Sequence, residues 1–230
     1  MKERIYSIPL TDALRENCGC ILCTIEKKLE EDAAIYYLGP SLMEPDNREI
    51  TNDKGFCKRH MKMLLEGANR LGLALMLETH ISELKKKIKP ALKQTLFSKS
   101  TDALLTASTI QEAIDSCALC DKLSAQMKDA AGNLSYLWKE DKDFRRMFEE
   151  SANLCLEHSA LVLSVCDKEL GGKKREEFIN MILDGQKNEL DALYDDLHSF
   201  TLFFDYRNTE KPSKKVSESV ESAVKYLSKF

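Results

Sequence analysis

Along most of this chain apolar side chains recur every three or four positions with charged residues between them, which is the period of an amphipathic helix. Over residues 25–38, Ile25, Leu29, Ala33 and Tyr36/Tyr37 fall on one side, separated by Glu26, Lys27, Lys28, Glu30 and Glu31, and Gly39-Pro40 ends the run. A second run begins near Cys57, passes through Met61, Leu64, Leu65, Ala68, Leu71, Leu75 and Ile81, and stops by Pro90. Residues 98–101 read as a break. Helical spacing returns over 109–114, 123–138, 144–148 and 156–170, and Gly171-Gly172 makes the next stop. Phe178, Met181, Ile182, Leu190, Leu193, Leu197 and Phe200 then supply one side of a long helix, and Val216, Val220, Ala223, Val224 and Leu227 mark a short closing one. No segment alternates with the two-residue period of a strand, so the expected fold is all-α, a helical bundle.

Composition supports a folded chain and narrows its partners. The 230 residues are 43% hydrophobic and 31% charged, with nine glycines and five prolines, enough to bury a core without help from a metal. A net charge of −4 and a pI near 5.7 argue against a nucleic-acid backbone as the main partner. The basic runs Lys85-Lys86-Lys87-Ile88-Lys89 and Lys173-Lys174-Arg175 are flanked by acidic residues and read as solvated helix faces. No signal-peptide pattern and no run of about 18 apolar residues occurs, so no membrane association and a cytoplasmic location are expected. In a reducing cytosol eight cysteines are not expected to form a disulfide framework, and their spacing is read for metal chemistry.

That spacing repeats. Cys20-Ile21-Leu22-Cys23 is followed after 33 residues by Cys57-Lys58-Arg59-His60, and Cys117-Ala118-Leu119-Cys120 after 34 residues by Cys155-Leu156-Glu157-His158. Corresponding ligands lie 97 or 98 positions apart, and Asp46/Asp143, Arg48/Arg145 and Phe56/Leu154 recur with them. A duplicated helical unit follows, with halves at residues 1–97 and 98–230 that could also form one compact domain.

Residues at i and i+3 leave the start of a helix from the same face, so each CxxC and each CxxH offers two ligands to one ion, and the positive end of the helix dipole favours thiolates. Two pairs complete a tetrahedron. The expectation is two Zn²⁺ per chain, each in a Cys3His set that clamps the two helix starts of one copy: Cys20, Cys23, Cys57 and His60 in the first, Cys117, Cys120, Cys155 and His158 in the second. An iron–sulfur cluster is the alternative.

The remaining candidates read more plainly. Cys18, without a counterpart, is a packing cysteine or a spare thiol beside the first site, and Cys166 is a core residue. His80 and His198 stand alone on long helices as hydrogen-bonded structural histidines, while Asp46/Arg48 and Asp143/Arg145 could pair and orient the segment between the ligand pairs.

The stretch Met1-Lys2-Glu3-Arg4-Ile5-Tyr6-Ser7-Ile8-Pro9-Leu10, the CxxC, Leu38-Gly39-Pro40-Ser41, Gly55-Phe56-Cys57-Lys58-Arg59-His60, Arg70-Leu71-Gly72-Leu73-Ala74 and Phe204-Asp205-Tyr206-Arg207 together resemble an uncharacterised bacterial family, a domain of unknown function. Some of its members are labelled substrate-binding proteins of ABC transporters. That label needs two α/β lobes, which a helical pattern does not supply. The resemblance implies a shared CxxC…GFCxxH architecture and no known activity.

A saturated four-ligand set leaves no open coordination position, and no nucleophile–base pair, glycine-rich phosphate loop or HExxH motif occurs. The expected role is therefore a non-enzymatic zinc-binding scaffold for an unknown protein or small-molecule partner. The alternative is a cytosolic thiolate-based redox or metal sensor, with Cys18 as a resolving thiol.

Overall fold

The protein is described by a computed structural model over residues 7–16, 19–89, 92–94, 99–151, 154–203 and 213–227. It is all-α. In chain order the elements are α1 (Ser7–Arg15), α2 (Ile21–Leu38), α3 (Pro45–Lys54), α4 (Lys58–Glu66), α5 (Arg70–Lys87), β1 (Leu92–Gln94), β2 (Lys99–Thr101), α6 (Ala103–Asp115), α7 (Ala118–Glu140), α8 (Lys142–Ser151), α9 (Leu156–Val165), α10 (Gly172–Leu202), α11 (Lys214–Ser217) and α12 (Ser219–Leu227). Short 3-10 turns follow α2 and α9. Around the break read at residues 98–101, which β2 occupies, β1 and β2 form a small antiparallel pair, Leu92 opposite Thr101 and Gln94 opposite Lys99. Three residues are too few to show alternation.

The chain forms two compact units, one from the described residues up to Glu26 together with those from Met127 onward, the other spanning Lys27–Gln126. The boundaries fall inside α2 and α7, so neither unit coincides with a sequence half, 1–97 or 98–230.

In the discontinuous unit the core is aromatic. Trp138 of α7 meets Phe178 of α10 with ring centroids 4.9 Å apart, Phe144 and Phe148 of α8 stack, and Arg145 lies over the Trp138 ring at 4.1 Å. Helix α1 lies against α8 and buries Leu10, Ala13 and Leu14, while α11 and α12 lie on α10.

In the continuous unit, Ala33, Ala34 and Tyr37 of α2 are buried, and Tyr37 meets Phe56 edge-on at 5.4 Å. The run expected as one helix from Cys57 to about residue 88 is two. Gly67 is extended and breaks the helix, and the Leu38 side chain packs close against it, where a Cβ would come within 2.3 Å of Leu38 Cδ1. Asn69 then caps α5, accepting from the Gly72 N–H at 2.8 Å and donating to the Leu38 carbonyl at 2.6 Å. The break resets the helical phase: α5 buries Gly72, Leu73 and Met76 and leaves Leu71 and Leu75, expected on the apolar face, 72% and 47% exposed. Helix α3 was not expected, since it buries only Thr51 and carries no apolar stripe. It is joined to α5 by polar contacts, Arg48 to Thr79 at 2.6 Å and to the Leu75 carbonyl at 3.0 Å.

No described helix is long and apolar enough to cross a membrane. Because Phe178 is fully buried, Phe178→Ala is expected to cost about 3–5 kcal/mol. Leu104→Ala, at a position 84% exposed on α6, is expected to stay within about 0.5 kcal/mol. Urea unfolding followed by the fluorescence of Trp138, the single tryptophan, measures both.

Candidate metal centres

Each of the four ligand pairs sits at a helix N-terminus. Cys57 and Cys155 are the N-cap residues of α4 and α9, with nearly identical backbones (φ −68°, ψ 167° and φ −69°, ψ 165°), and His60 and His158 follow one turn later. Cys20 and Cys117 immediately precede α2 and α7, with Cys23 and Cys120 in the first turns. No side chain caps α4 or α9, so sulfur occupies the position where a hydroxyl or carboxylate usually receives free N–H groups.

These eight residues come together as two clusters of four, and the pairing crosses between the copies. Cys20 and Cys23 join Cys155 and His158; Cys57 and His60 join Cys117 and Cys120. The expectation that each copy closes its own site is corrected. Each cluster lies within one compact unit: Cys20, Cys23, Cys155 and His158 in the discontinuous one, and Cys57, His60, Cys117 and Cys120 in the continuous one.

At the Cys20 centre, Nδ1 of His158 lies 3.4, 3.3 and 3.2 Å from the sulfurs of Cys20, Cys23 and Cys155, and the Cys23 and Cys155 sulfurs are 3.7 Å apart. At the Cys57 centre, Nδ1 of His60 lies 3.4, 3.3 and 3.3 Å from Cys57, Cys117 and Cys120, and the Cys57 and Cys120 sulfurs are 3.8 Å apart. A disulfide requires about 2.05 Å, and the described cysteines are unbridged. A tetrahedral ion with metal–sulfur bonds of about 2.3 Å and metal–nitrogen bonds of about 2.0 Å has edges of about 3.8 Å between sulfurs and 3.5 Å between sulfur and nitrogen. The donor sets fit that size, so each cluster could hold a metal ion.

The far nitrogen of each histidine faces a carboxylate. His60 Nε2 is 2.8 Å from Glu30 Oε1, and Arg59 donates to the other oxygen of Glu30 at 2.7 Å. His158 Nε2 is 3.4 Å from Glu26. A carboxylate behind a histidine fixes the tautomer that presents Nδ1 to an ion and makes the ring more basic. Both glutamates are on α2, where the sequence showed only polar spacers.

The Cys57 centre is further tied by its backbone. Ser116 donates to the Lys54 carbonyl at 2.7 Å, the Ala118 N–H donates to the Gly55 carbonyl at 3.0 Å, and the Cys120 N–H points at the Cys117 sulfur at 3.4 Å. Gly55 has φ +59°, and a Cβ would meet His80 Nε2 at 2.4 Å. The glycine of the GFCxxH element is thus required both by the turn and by the ring packed on it.

The thiols in each cluster compete for charge. Burial pushes the Cys117 thiol up, but His60 and backbone N–H groups outweigh it and bring it down to about 6. Burial and the neighbouring Cys117 push Cys120 well above the ordinary thiol range. In the other cluster Cys155 is held low by Cys20, Cys23 and His158, while Cys23 is pushed up by Cys155 and Cys20. One ionised sulfur suppresses the next, whereas a divalent ion at the centre satisfies all three. Burial works against charge on both histidines, yet their sulfur and carboxylate neighbours raise them, His158 to about 12.

A family model, described as a family of unknown function (DUF6062), matches residues 1–230. The chain belongs to this family. No curated protein and no solved structure matches it.

Other candidates in this DUF6062 chain take structural places. Cys166 is 1% exposed in the core, as expected. His80 Nδ1 donates to the Asn52 carbonyl at 2.9 Å, and His198 stacks on Tyr194. Cys18 lies outside the described residues, as do Phe204-Asp205-Tyr206-Arg207. The expected Asp/Arg pairing within the repeat is corrected: Asp143 pairs with Arg146, and Arg145 with Glu149 and Glu177. The carboxylates that reach the ligand histidines are Glu26 and Glu30, one helical turn apart on α2.

Crossed pairing has a direct signature in metal stoichiometry. Cys20→Ser combined with Cys155→Ser should abolish binding at one centre and leave one ion bound, whereas Cys20→Ser combined with Cys57→Ser should abolish both. The reverse pattern identifies pairing within copies. Glu30→Gln should weaken metal binding at the Cys57 centre about 10–100-fold, read by chelator competition.

Proposed function

We propose that the chain is a non-enzymatic zinc-binding helical scaffold, in which two structural Zn²⁺ ions each clamp a CxxC helix start of one copy to a CxxH helix start of the other. The observation that carries the reading is the closed donor set: three sulfurs and one imidazole nitrogen within 4.8 Å of one another, twice. Four protein ligands complete the coordination of zinc and leave no position for a substrate or an activated water. The same compactness favours zinc over an iron–sulfur cluster, whose ligands are spread over several irons. Residues holding the ion would be Cys20, Cys23, Cys155 and His158 at one centre and Cys57, His60, Cys117 and Cys120 at the other.

A scaffold needs something to hold. Helix α6 buries none of its thirteen residues and exposes Leu104, Leu105 and Ile114, which supports a protein or small-molecule partner. The net charge of −4 does not favour nucleic acid, and unbridged thiolate sets suit a reducing compartment such as the cytoplasm.

The second reading is a thiolate-based sensor. It is favoured by the exposure of one ligand in each set, Cys23 and Cys120, because accessible thiolates oxidise first. A low excess of hydrogen peroxide separates the two readings: a structural clamp keeps its zinc, and a sensor releases it.

Metal removal tests the clamp. Elemental analysis of protein purified without added metal should give two zinc ions per chain, and stripping them with a chelator should cost helical circular dichroism and cooperative unfolding. Unchanged dichroism after complete removal would contradict a structural role.

A further inference from the structure

The two centres share one donor set and a glutamate of α2 behind each histidine but differ in how tightly that support is held. At the Cys57 centre the supporting carboxylate is buried, with Glu30 7% exposed, and it lies 2.8 Å from His60 with its second oxygen fixed by Arg59. Two ligands, His60 and Cys117, are buried, and the flanking turns are joined by the Ser116–Lys54 and Ala118–Gly55 hydrogen bonds. At the Cys20 centre the carboxylate is Glu26, whose side chain is 37% exposed and stands 3.4 Å from His158. Only His158 is buried among the four ligands, and the turn into Cys20 passes through Gly19, with φ +84° and no side chain or backbone within 4 Å of its Cβ position. Supporting hydrogen bonds of this kind change metal affinity by about 10–100-fold.

The Cys20 centre has one support that the other lacks, and it comes from the C-terminal part of the same compact unit. The carbonyl of Leu154, the residue before the ligand Cys155, accepts from Gln186 Nε2 of α10 at 2.7 Å. The other end of the Gln186 amide accepts from the Tyr226 hydroxyl of α12 at 2.5 Å. A continuous chain of hydrogen bonds therefore runs from the start of α9 through α10 to α12. Helix α12 is nine residues long and buries only Ser219 and Ala223, so it has little apolar contact of its own to hold it on α10.

We propose that the Cys20 centre is the exchangeable one of the two, and that its occupancy sets the docking of the C-terminal helix α12 through Leu154, Gln186 and Tyr226. This rests on the metal-clamp reading above. With the ion in place, Cys155 and His158 fix the start of α9, and the Leu154 carbonyl is presented to Gln186. When the ion leaves, that carbonyl is no longer held, the Gln186 amide loses its orientation, and Tyr226 loses its acceptor. The Cys57 centre keeps its ion and its unit intact, so α12 and the start of α9 respond to metal availability while the continuous unit does not.

The test uses the full chain loaded with zinc and challenged with EDTA, with zinc release and amide hydrogen exchange followed together. Zinc should leave in two steps whose rates differ by about tenfold or more. The first should coincide with loss of amide protection in α12 and at the start of α9, with α4 and the start of α7 still protected. Cys20→Ser should retain only the slow step, and Cys57→Ser only the fast one. Gln186→Ala should leave both zinc ions bound while α12 exchanges at the metal-free rate. A single common release rate, or α12 protection unchanged after the first ion leaves, would overturn the proposal and leave the clamp standing. A chain that binds no metal would overturn both.

Discussion

Four helix N-termini, each carrying two candidate ligands one turn apart, meet in crossed pairs, one pair of starts within each compact unit. A helix start leaves N–H groups without intrahelical partners and a partial positive charge. That favours a thiolate, but two such starts brought together make each ionised sulfur oppose the next, a conflict that a bound cation would relieve. The clusters span 60 residues of chain between His60 and Cys120 and 135 between Cys23 and His158. Loop entropy has little say in this choice. Replacing a closure of roughly 35 residues within one copy by the longer one is about two doublings, or about 1.2 kcal/mol. The packing within each compact unit decides instead, since each crossed set lies wholly inside one unit.

The ligand residues were legible in the sequence because i, i+3 spacing at a helix start is a local property, and because the pattern occurs twice. The pairing was not legible, since spacing allows a CxxC start to meet either CxxH start and only tertiary packing chooses. Two of the intervening helices also left little trace, α3 because it has no apolar stripe and α8 because it was visible only as a short run. The all-α class, the end of α2 at Gly39-Pro40 and the core place of Cys166 were local and readable. The split between α4 and α5 was missed although Gly67 and Asn69 carry the signal for it, an extended glycine followed by a side-chain cap. Glu30 was missed because it sits among Glu26, Lys27, Lys28 and Glu31. Its one distinguishing feature was position, three and seven residues before Ala33 and Tyr37 on the buried side of α2.

Duplication of the ligand pairs was not matched by duplication of their support. The positions 97 residues after Glu26 and Glu30 are Leu123 and Met127, so α7 supplies no carboxylate, and both histidines depend on α2. His60 is backed by a buried, arginine-fixed glutamate and His158 by a more exposed one, with α10 contacting the Leu154 carbonyl beside Cys155. Identical donor sets in unlike surroundings would hold the same ion unequally, which is the physical ground for the proposed difference between the two centres.

The central claim is that three sulfurs and one imidazole surround a single ion at each centre. X-ray absorption at the zinc edge of protein purified without added metal tests it most directly. The expected result is a first shell averaging three sulfurs at about 2.3 Å and one nitrogen at about 2.0 Å per zinc, with no metal neighbour. A shell dominated by oxygen or nitrogen, a short metal–metal distance, or the absence of zinc would contradict it.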